Sequence, residues 1–253
     1  MTIERRKNFI VNKLKEKGEV EVHNLSEKLD VSEMTIRRDL KKLEEEGVLI
    51  RNHGGAVYPV VLNEEISYQS KQTKNREEKN RIGREALKYI KDGKVLFIDA
   101  GTTCFELAKK LNTFKNLTVV TNDIRIANEL YTKSNIELYC TGGFVQSQVG
   151  AMLGEHTKKI IESLNIDIAF VGTSSIDNEL FLSTPTREKA VLKQKIIKSG
   201  NKSILLSDHS KFGKKSLHKI CKIDQFNTFI TDKKIQKTNF EEVNDTDVEL
   251  VVV

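Results

Sequence analysis

From Lys94 onward the chain alternates short apolar runs with amphipathic stretches, and this alternation leaves few folds open to it. The runs are VLFID (95–99), LTVVT (117–121), IELYC (136–140), IAFVG (168–172), SILLS (203–207), TFIT (228–231) and ELVVV (249–253). They read as strands, and helices are expected between them over 104–111, 124–131, 157–164 and 187–198. Strands separated by helices point to an α/β domain with a mainly parallel sheet. Ligands of such sheets bind at the carboxyl ends of the strands.

Small and polar residues gather at those ends. Asp99-Ala100-Gly101-Thr102-Thr103 follows a strand and opens a helix. Glycine permits close approach of a ligand, first-turn N–H groups are free, and threonine hydroxyls add donors, so the run can cradle a phosphate. Alone the run is a weak signal, since Gly-Thr-Thr after a strand is more often a plain helix cap. Thr121-Asn122 ends the next strand, Gly142-Gly143 the third, and Gly172-Thr173-Ser174-Ser175 the fourth. Thr184-Pro185-Thr186 opens a helix carrying Glu188 and Lys193, and Lys211 lies in a run Asp208–Gly213 after a further strand. Each is also readable as a strand-end turn or a solvated charge. Their convergence on one sheet edge favours a ligand site.

Ahead of this domain, residues 21–58 read as a winged helix-turn-helix. Asn24 is expected to cap a helix, with Glu27 completing a capping box. Leu25 and Leu29 supply its buried stripe, Asp30-Val31-Ser32 the turn, and Ser32 the next cap. In the following helix Ile36, Leu40 and Leu43 form the core face. Thr35, Arg37, Arg38, Lys41 and Lys42 fall on other faces, and Gly47 is the expected stop. Strands over 48–51 and 56–58 then flank Asn52-His53-Gly54-Gly55. Before all this, residues 1–18 read as a first helix with Ile10 and Leu14 on its buried side.

A solvated basic helix is the bland alternative, and total charge does not decide the matter. The chain carries a formal +6, but residues 1–58 hold twelve Lys/Arg against eleven Asp/Glu. Placement is more telling: Thr35, Arg37 and Arg38 occupy the first turns, where recognition helices meet base edges. Glu44, Glu45 and Glu46 gather at the far end.

The 253 residues suit two domains of common size, about 100–200 residues each at most. No apolar run nears the roughly 20 residues of a membrane span. The charged N-terminus is unlike a signal peptide, so a cytoplasmic protein is expected. Three scattered cysteines read as buried free thiols, and neither they nor the five histidines have metal-ligand spacing. No metal or cofactor is implied. Residues 59–74 read as a linker, and a helix follows Asn75 with Ile82, Ala86 and Ile90 four apart.

VSEMTIRRDLKKLEEEG followed by VLIRNHGGAV resembles the DNA-binding head of the DeoR family of bacterial transcription regulators. Thr35 to Leu40 and His53 to Ala56 match its motifs. NREEKNRIGREA, DAGTTCFELAKKL, VTNDIRIANEL, GGFVQSQVGAMLG, IDIAFVGTSSID, the Glu188/Lys193 spacing and SDHSKFG are similar, in order, to its sensor domain. One departure is Phe181-Leu182-Ser183, where the family commonly has a glycine-containing turn.

The resemblance implies a head at 1–58, a linker at 59–74, and a sensor and oligomerisation domain at 75–253. The sensor fold would be related to ribose-5-phosphate isomerase and CoA-transferase-like domains. The expected function is a repressor of a carbohydrate-catabolism operon, bound to double-stranded operator DNA as a homo-oligomer, dimer or tetramer. A phosphorylated sugar would release it. The expected DNA contacts are Ser32, Thr35, Arg37, Arg38, Lys41, Arg51, His53 and Gly54. The expected effector contacts are Asp99, Gly101, Thr102, Thr103, Asn122, Gly142, Gly143, Gly172, Glu188, Lys193 and Lys211.

The competing reading is a sugar-phosphate isomerase with a DNA-binding head. Isomerisation needs a carboxylate beside the substrate carbonyl. Isomerases of the related fold carry D-G-A-D-E where this chain has Val171-Gly172-Thr173-Ser174-Ser175, so the three acids are missing. No catalytic residue is therefore expected, although Glu188 leaves the alternative open.

Overall fold

The computed structural model describes residues 2–45, 48–52, 54–57, 60–62 and 65–253. The expected helix stop Gly47, the wing residue His53 and the strand residue Tyr58 lie outside the described residues. The chain divides into two compact units, 1–61 and 62–253.

In the first unit α1 (Ile3–Lys17) is followed by β1 (Glu19–Glu21), α2 (Val22–Leu29), α3 (Glu33–Glu45), β2 (Ile50–Asn52) and β3 (Gly55–Val57). Thr2 caps α1, and Gly18, in the left-handed region at φ 79°, ends it by donating its N–H to Leu14 O. Ile10, Leu14, Val22, Leu25, Ile36, Leu40, Leu43, Leu49 and Ala56 form one apolar core. Buried Arg6 and Asp39 tie α1 to α3 at 2.6 Å.

Two expectations about the head change. Helix α2 starts at Val22, so Asn24 lies inside it and donates to Glu21 Oε2 (2.7 Å) instead of capping. The wing is also a sheet of three strands in the order β1-β3-β2, because Glu19–Glu21 pairs with Gly55–Val57. Three residues before a helix are too few for a pattern to show in the sequence.

A short strand β4 (Val60–Leu62) leads to the second unit. Helices α4 (Tyr68–Thr73) and α5 (Arg76–Ala86) precede β5 (Val95–Ile98), α6 (Thr102–Ala108), β6 (Leu117–Thr121), α7 (Ile124–Leu130) and β7 (Ile136–Cys140). A hairpin of β8 (Phe144–Gln146) and β9 (Ala151–Leu153) comes next. After it run α8 (Glu155–Glu162), β10 (Ile166–Val171), β11 (Ser175–Ile176), β12 (Phe181–Thr184), α9 (Arg187–Ser199) and β13 (Gly200–Leu206). The chain finishes with β14 (Lys214–Ser216), β15 (His218–Lys222), β16 (Thr228–Thr231), α10 (Lys237–Asn244) and β17 (Glu249–Val252).

The seven apolar runs correspond one for one to a seven-stranded sheet in the order β17-β16-β13-β10-β5-β6-β7, whose recorded pairs are all parallel. The fold class is thus the expected α/β domain with a small winged helix-turn-helix. Alternation along the strands splits the core. Leu96, Ile98, Ile168 and Phe170 pack with α5, α6 and α7 on one face, while Phe97, Ala169, Val171 and Phe229 pack with α8 and α9 on the other. Burying a side chain such as Phe97, Phe170 or Phe229 stabilises the fold by roughly 1.5–3 kcal/mol each. At Gly83 α5 touches α6 so closely that a Cβ would lie 2.7 Å from Leu107 N.

Several elements depart from expectation. Residues 68–73, expected within a linker, form α4, capped by Ser67 and anchored by buried Tyr68. Phe181-Leu182-Ser183 lies in an antiparallel sheet β11-β12-β15, and the left-handed turn falls one residue earlier, on Leu180 at φ 61°. Asp177 holds that turn by accepting from Glu179 N and Phe181 N. Cys104 is a buried thiol as expected, but Cys140 is exposed because β7 is the sheet's edge strand.

Candidate functional sites

The chain runs β5-β6-β7 toward one side of the sheet and then returns to place β10 beside β5 on the other. Such a reversal opens a crevice at the carboxyl ends of the two strands. A pocket lies here, lined by Gly101, Thr102, Thr103, Gly172, Thr173 and Ser174 from the two strand ends. Pro185 closes it from the turn before α9, Lys189 and Lys193 from α9, Lys211 from the loop after β13, and Glu65, Ile66 and Lys71 from the segment around α4.

Asp99 sets the floor. Its Oδ2 accepts from Gly172 N (3.1 Å) and pairs with Lys193, whose Nζ also donates to Gly172 O (2.8 Å). This ties the ends of β5 and β10 together. Asn122 Oδ1 accepts from Ala100 N (2.9 Å), and Asp123 Oδ2 from Gly101 N (3.2 Å). Asp99 and Asn122 therefore position the cradle from below instead of lining it. Burial raises the Asp123 carboxyl to about 6, against the pull of hydrogen bonds from Arg125, Ile126 and Gly101.

Gly101 precedes α6 and accepts from Phe105 N (2.9 Å), so the N–H groups of Thr102, Thr103 and Cys104 have no carbonyl within the helix to meet. Among the described residues the Thr102 and Thr103 hydroxyls have no protein partner. Four ammonium groups surround this cluster. Lys193 faces Asp99, while Lys71 and Lys189 both face Glu65, the latter at 2.8 Å. Among the described residues Lys211 Nζ makes no ion pair. Burial lowers Lys211, and Asp208 opposes that shift. Burial brings Lys189 down to about 8, with Glu65 pulling the other way. The set is cationic, donor-rich and incompletely paired, as suits an anion bearing acceptor oxygens.

Of the expected effector residues, Gly101, Thr102, Thr103, Gly172, Lys193 and Lys211 meet in this pocket. Glu188 is exposed on α9 and does not line it, whereas its neighbour Lys189 does. Gly142 and Gly143 lie just beyond the edge strand β7, away from the pocket lining. There Gly142 O accepts from Thr157 Oγ1 (2.6 Å), and at Gly143, φ 104°, a Cβ would lie 2.4 Å from Leu153 O. Sequence reasoning missed Lys189, Lys71 and Glu65. Lys189 had a signal, since it stands four residues before Lys193 on the same helix face. Lys71 and Glu65 lie in a stretch without periodicity.

In the head, Ser32 caps α3 through Thr35 N (3.3 Å), and its hydroxyl meets Thr35 Oγ1 at 3.0 Å. Arg37 and Arg38 are exposed in the first turns, Arg37 beside Glu33 (3.5 Å) and Arg38 without an ion pair among the described residues. Lys41 is exposed one turn on. One turn before Arg37 and Arg38, Met34 is 76% exposed, an apolar side chain the sequence reading passed over. On the wing, Arg51 faces Glu44 (3.7 Å) and its N–H donates to Glu44 Oε1 (3.0 Å), while Gly54 is exposed at the turn.

The sequence matches the DeoR-like helix-turn-helix domain over residues 6–60 and the DeoR C terminal sensor domain over residues 74–233. The chain belongs to the DeoR family. It is similar to the HTH-type transcriptional regulator GlpR of Haloferax volcanii, at 35% identity over 97% of this chain and 96% of that one. The glycerol-3-phosphate regulon repressor of Escherichia coli is 35% identical over 90% of each chain. The HTH-type transcriptional repressor GlcR of Bacillus subtilis is 34% identical over 96% of this chain and 93% of its own.

Among solved structures, a ribose-5-phosphate isomerase in complex with phospho-erythronic acid aligns over 54% of each chain at 20% identity and a TM-score of 0.40. The DeoR family is one of transcription regulators, and this chain is a transcription regulator, not an isomerase with a DNA-binding head. Among the described residues no helix is long and apolar enough to cross a membrane.

Proposed function

We propose that this DeoR-family protein is a cytoplasmic repressor of a carbohydrate-catabolism operon, working as a homo-oligomer, and that a phosphorylated sugar or related metabolite releases it from its operator. The observation that carries the reading is the pocket at the β5/β10 crevice. It combines the free N–H and hydroxyl groups of Thr102 and Thr103 with four lysines, against Glu65 and Asp99. The relatives named for glycerol-3-phosphate and as repressors support the same direction.

The phosphate rests on Gly101, Thr102 and Thr103, with Lys71, Lys189, Lys193 and Lys211 around it. Asp99 and Asn122 hold the cradle in shape. In the head, Thr35, Arg37, Arg38 and Lys41 of α3 enter the major groove, and Ser32, Arg51 and Gly54 contact the backbone. An Arg can bond both O6 and N7 of guanine, whereas phosphate contacts position without reading sequence.

A panel of sugar phosphates, screened by thermal shift and then titrated into the complex with DNA from the promoter nearest the protein's own gene, tests this. A ligand of the native state raises the melting temperature by mass action. One class of sugar phosphate should do so and also dissociate the DNA. Failure of every phosphorylated ligand to stabilise the protein, beside stabilisation by an unphosphorylated sugar, would overturn the pocket assignment.

A further inference from the structure

Among the described residues lining the pocket, Glu65 is the only carboxylate. Its side chain is 3% exposed, and it pairs with Lys71 of α4 and Lys189 of α9. Burial would raise this carboxyl, but the charges of Lys189 and Lys71 outweigh it and hold Glu65 below its ordinary value. Glu65 therefore stays buried only because two ammonium groups flank it. It also stands four residues beyond Val61, the end of the head unit, so in sequence its segment leads directly to the DNA-binding head. Ser67 caps α4, and Tyr68 anchors that helix by donating its N–H to Gln148 O (2.9 Å).

We propose that Glu65 is a built-in anion that occupies Lys71 and Lys189 in the effector-free protein, and that the effector's phosphate displaces it. The proposal rests on the phosphate-binding reading above and adds how occupancy of the pocket leaves it. A phosphate brings up to two charges and three strong acceptor oxygens to the same ammonium groups. Two anions cannot share them at close range in a poorly solvated site. Once unpaired, the Glu65 carboxylate is costly to keep buried and moves to water. Residues 65–67 move with it, and the anchor at Tyr68 keeps the change from passing into α4.

The alternative role for Glu65 is to stay and accept hydroxyls of the sugar, and it has the opposite consequence. Removing a competitor tightens anion binding, while removing a ligand contact weakens it. Inorganic phosphate, which has no sugar hydroxyls, is the first probe.

Phosphate should bind Glu65→Gln about tenfold more tightly than wild type by calorimetry, the factor that ~1.4 kcal/mol of competing ion pairing represents. In the wild type, phosphate should speed amide hydrogen exchange at residues 65–67. Equal or weaker binding to Glu65→Gln, or slower exchange at 65–67, overturns the built-in anion. Absence of phosphate binding to both folded proteins removes the pocket reading itself, so the two failures are distinct. The exchange measurement needs only wild type and stands even where the variant folds poorly.

Discussion

At the scale of single residues, the pocket's chemistry rests on donors that the fold leaves free. Replacing Thr102 and Thr103 with Val keeps their volume and removes two hydroxyls. A net hydrogen bond contributes about 0.5–1.5 kcal/mol, and more to a charged partner. The double variant should bind the phosphorylated effector roughly 10- to 100-fold more weakly at about 1.4 kcal/mol per tenfold, yet bind operator normally. Effector titration into the operator complex checks this, and normal release would move the phosphate elsewhere.

Lys189 gives a second residue-scale test. Burial brings its ammonium down to about 8 against the opposing pull of Glu65, and Lys71 and Lys193 add to the lowering. A bound dianion favours the charged form, so binding above pH 8 takes up a proton and affinity falls as pH rises. Below the second phosphate ionisation, near pH ~6, the ligand loses charge and affinity falls again. Affinity should therefore peak between the two, and Lys189→Met should flatten the alkaline limb. An effector affinity that is constant from pH 7 to 10 would exclude Lys189 from the site. The free protein shows the opposite slope from this group: between about 8 and 10.5 the unfolded chain holds the extra proton, so stability rises with pH. In the sequence, Gly101-Thr102-Thr103 and Lys193 were legible because strand-end and helix-start chemistry is local. Lys71 and Glu65 were not, because only tertiary packing brings residues 65–71 to that edge.

At the scale of elements, the seven sheet strands were legible because each is a short apolar run between polar turns. The hairpin β8/β9 and the sheet β11-β12-β15 were not, since their strands, two to five residues long and most of them mixed in polarity, carry too little pattern. The close approach of α5 to α6 was also invisible, because it turns on one missing Cβ. Gly83→Ala would place that atom 2.7 Å from Leu107 N and 2.8 Å from Glu106 C, backbone atoms that cannot swing aside. Overpacking of this kind costs typically about 1–3 kcal/mol. Chemical denaturation should show a lower midpoint, and because α6 carries Thr102 and Thr103, effector affinity should fall too. An unchanged midpoint would show that the two helices separate freely. In the head, α3 offers Arg37 and Arg38 at its exposed start. Replacing both with Ala should weaken operator binding and lower the salt slope by about 1 for each phosphate no longer neutralised. Unchanged affinity and slope would mean that α3 does not face DNA through this turn.

At the scale of the whole molecule, the head and the sensor must share free energy if effector is to release DNA. Thermodynamic linkage makes this reciprocal: whatever factor the effector takes from operator affinity, the operator takes from effector affinity. Such factors commonly lie between about 5 and 150. Two titrations therefore give one number, effector against free and operator-bound protein, and operator against free and effector-bound protein. They should agree for wild type. For Glu65→Gln they should also agree but lie closer to one, because a chain whose pocket already lacks its internal anion gains less from the effector. That variant would combine tighter effector binding with weaker induction, a pairing that simple damage to the pocket cannot produce. A coupling factor left at its wild-type value would place the transmission elsewhere than the segment at Glu65. Factors that disagree with each other, and converge only on dilution, would show that oligomer exchange takes part in release.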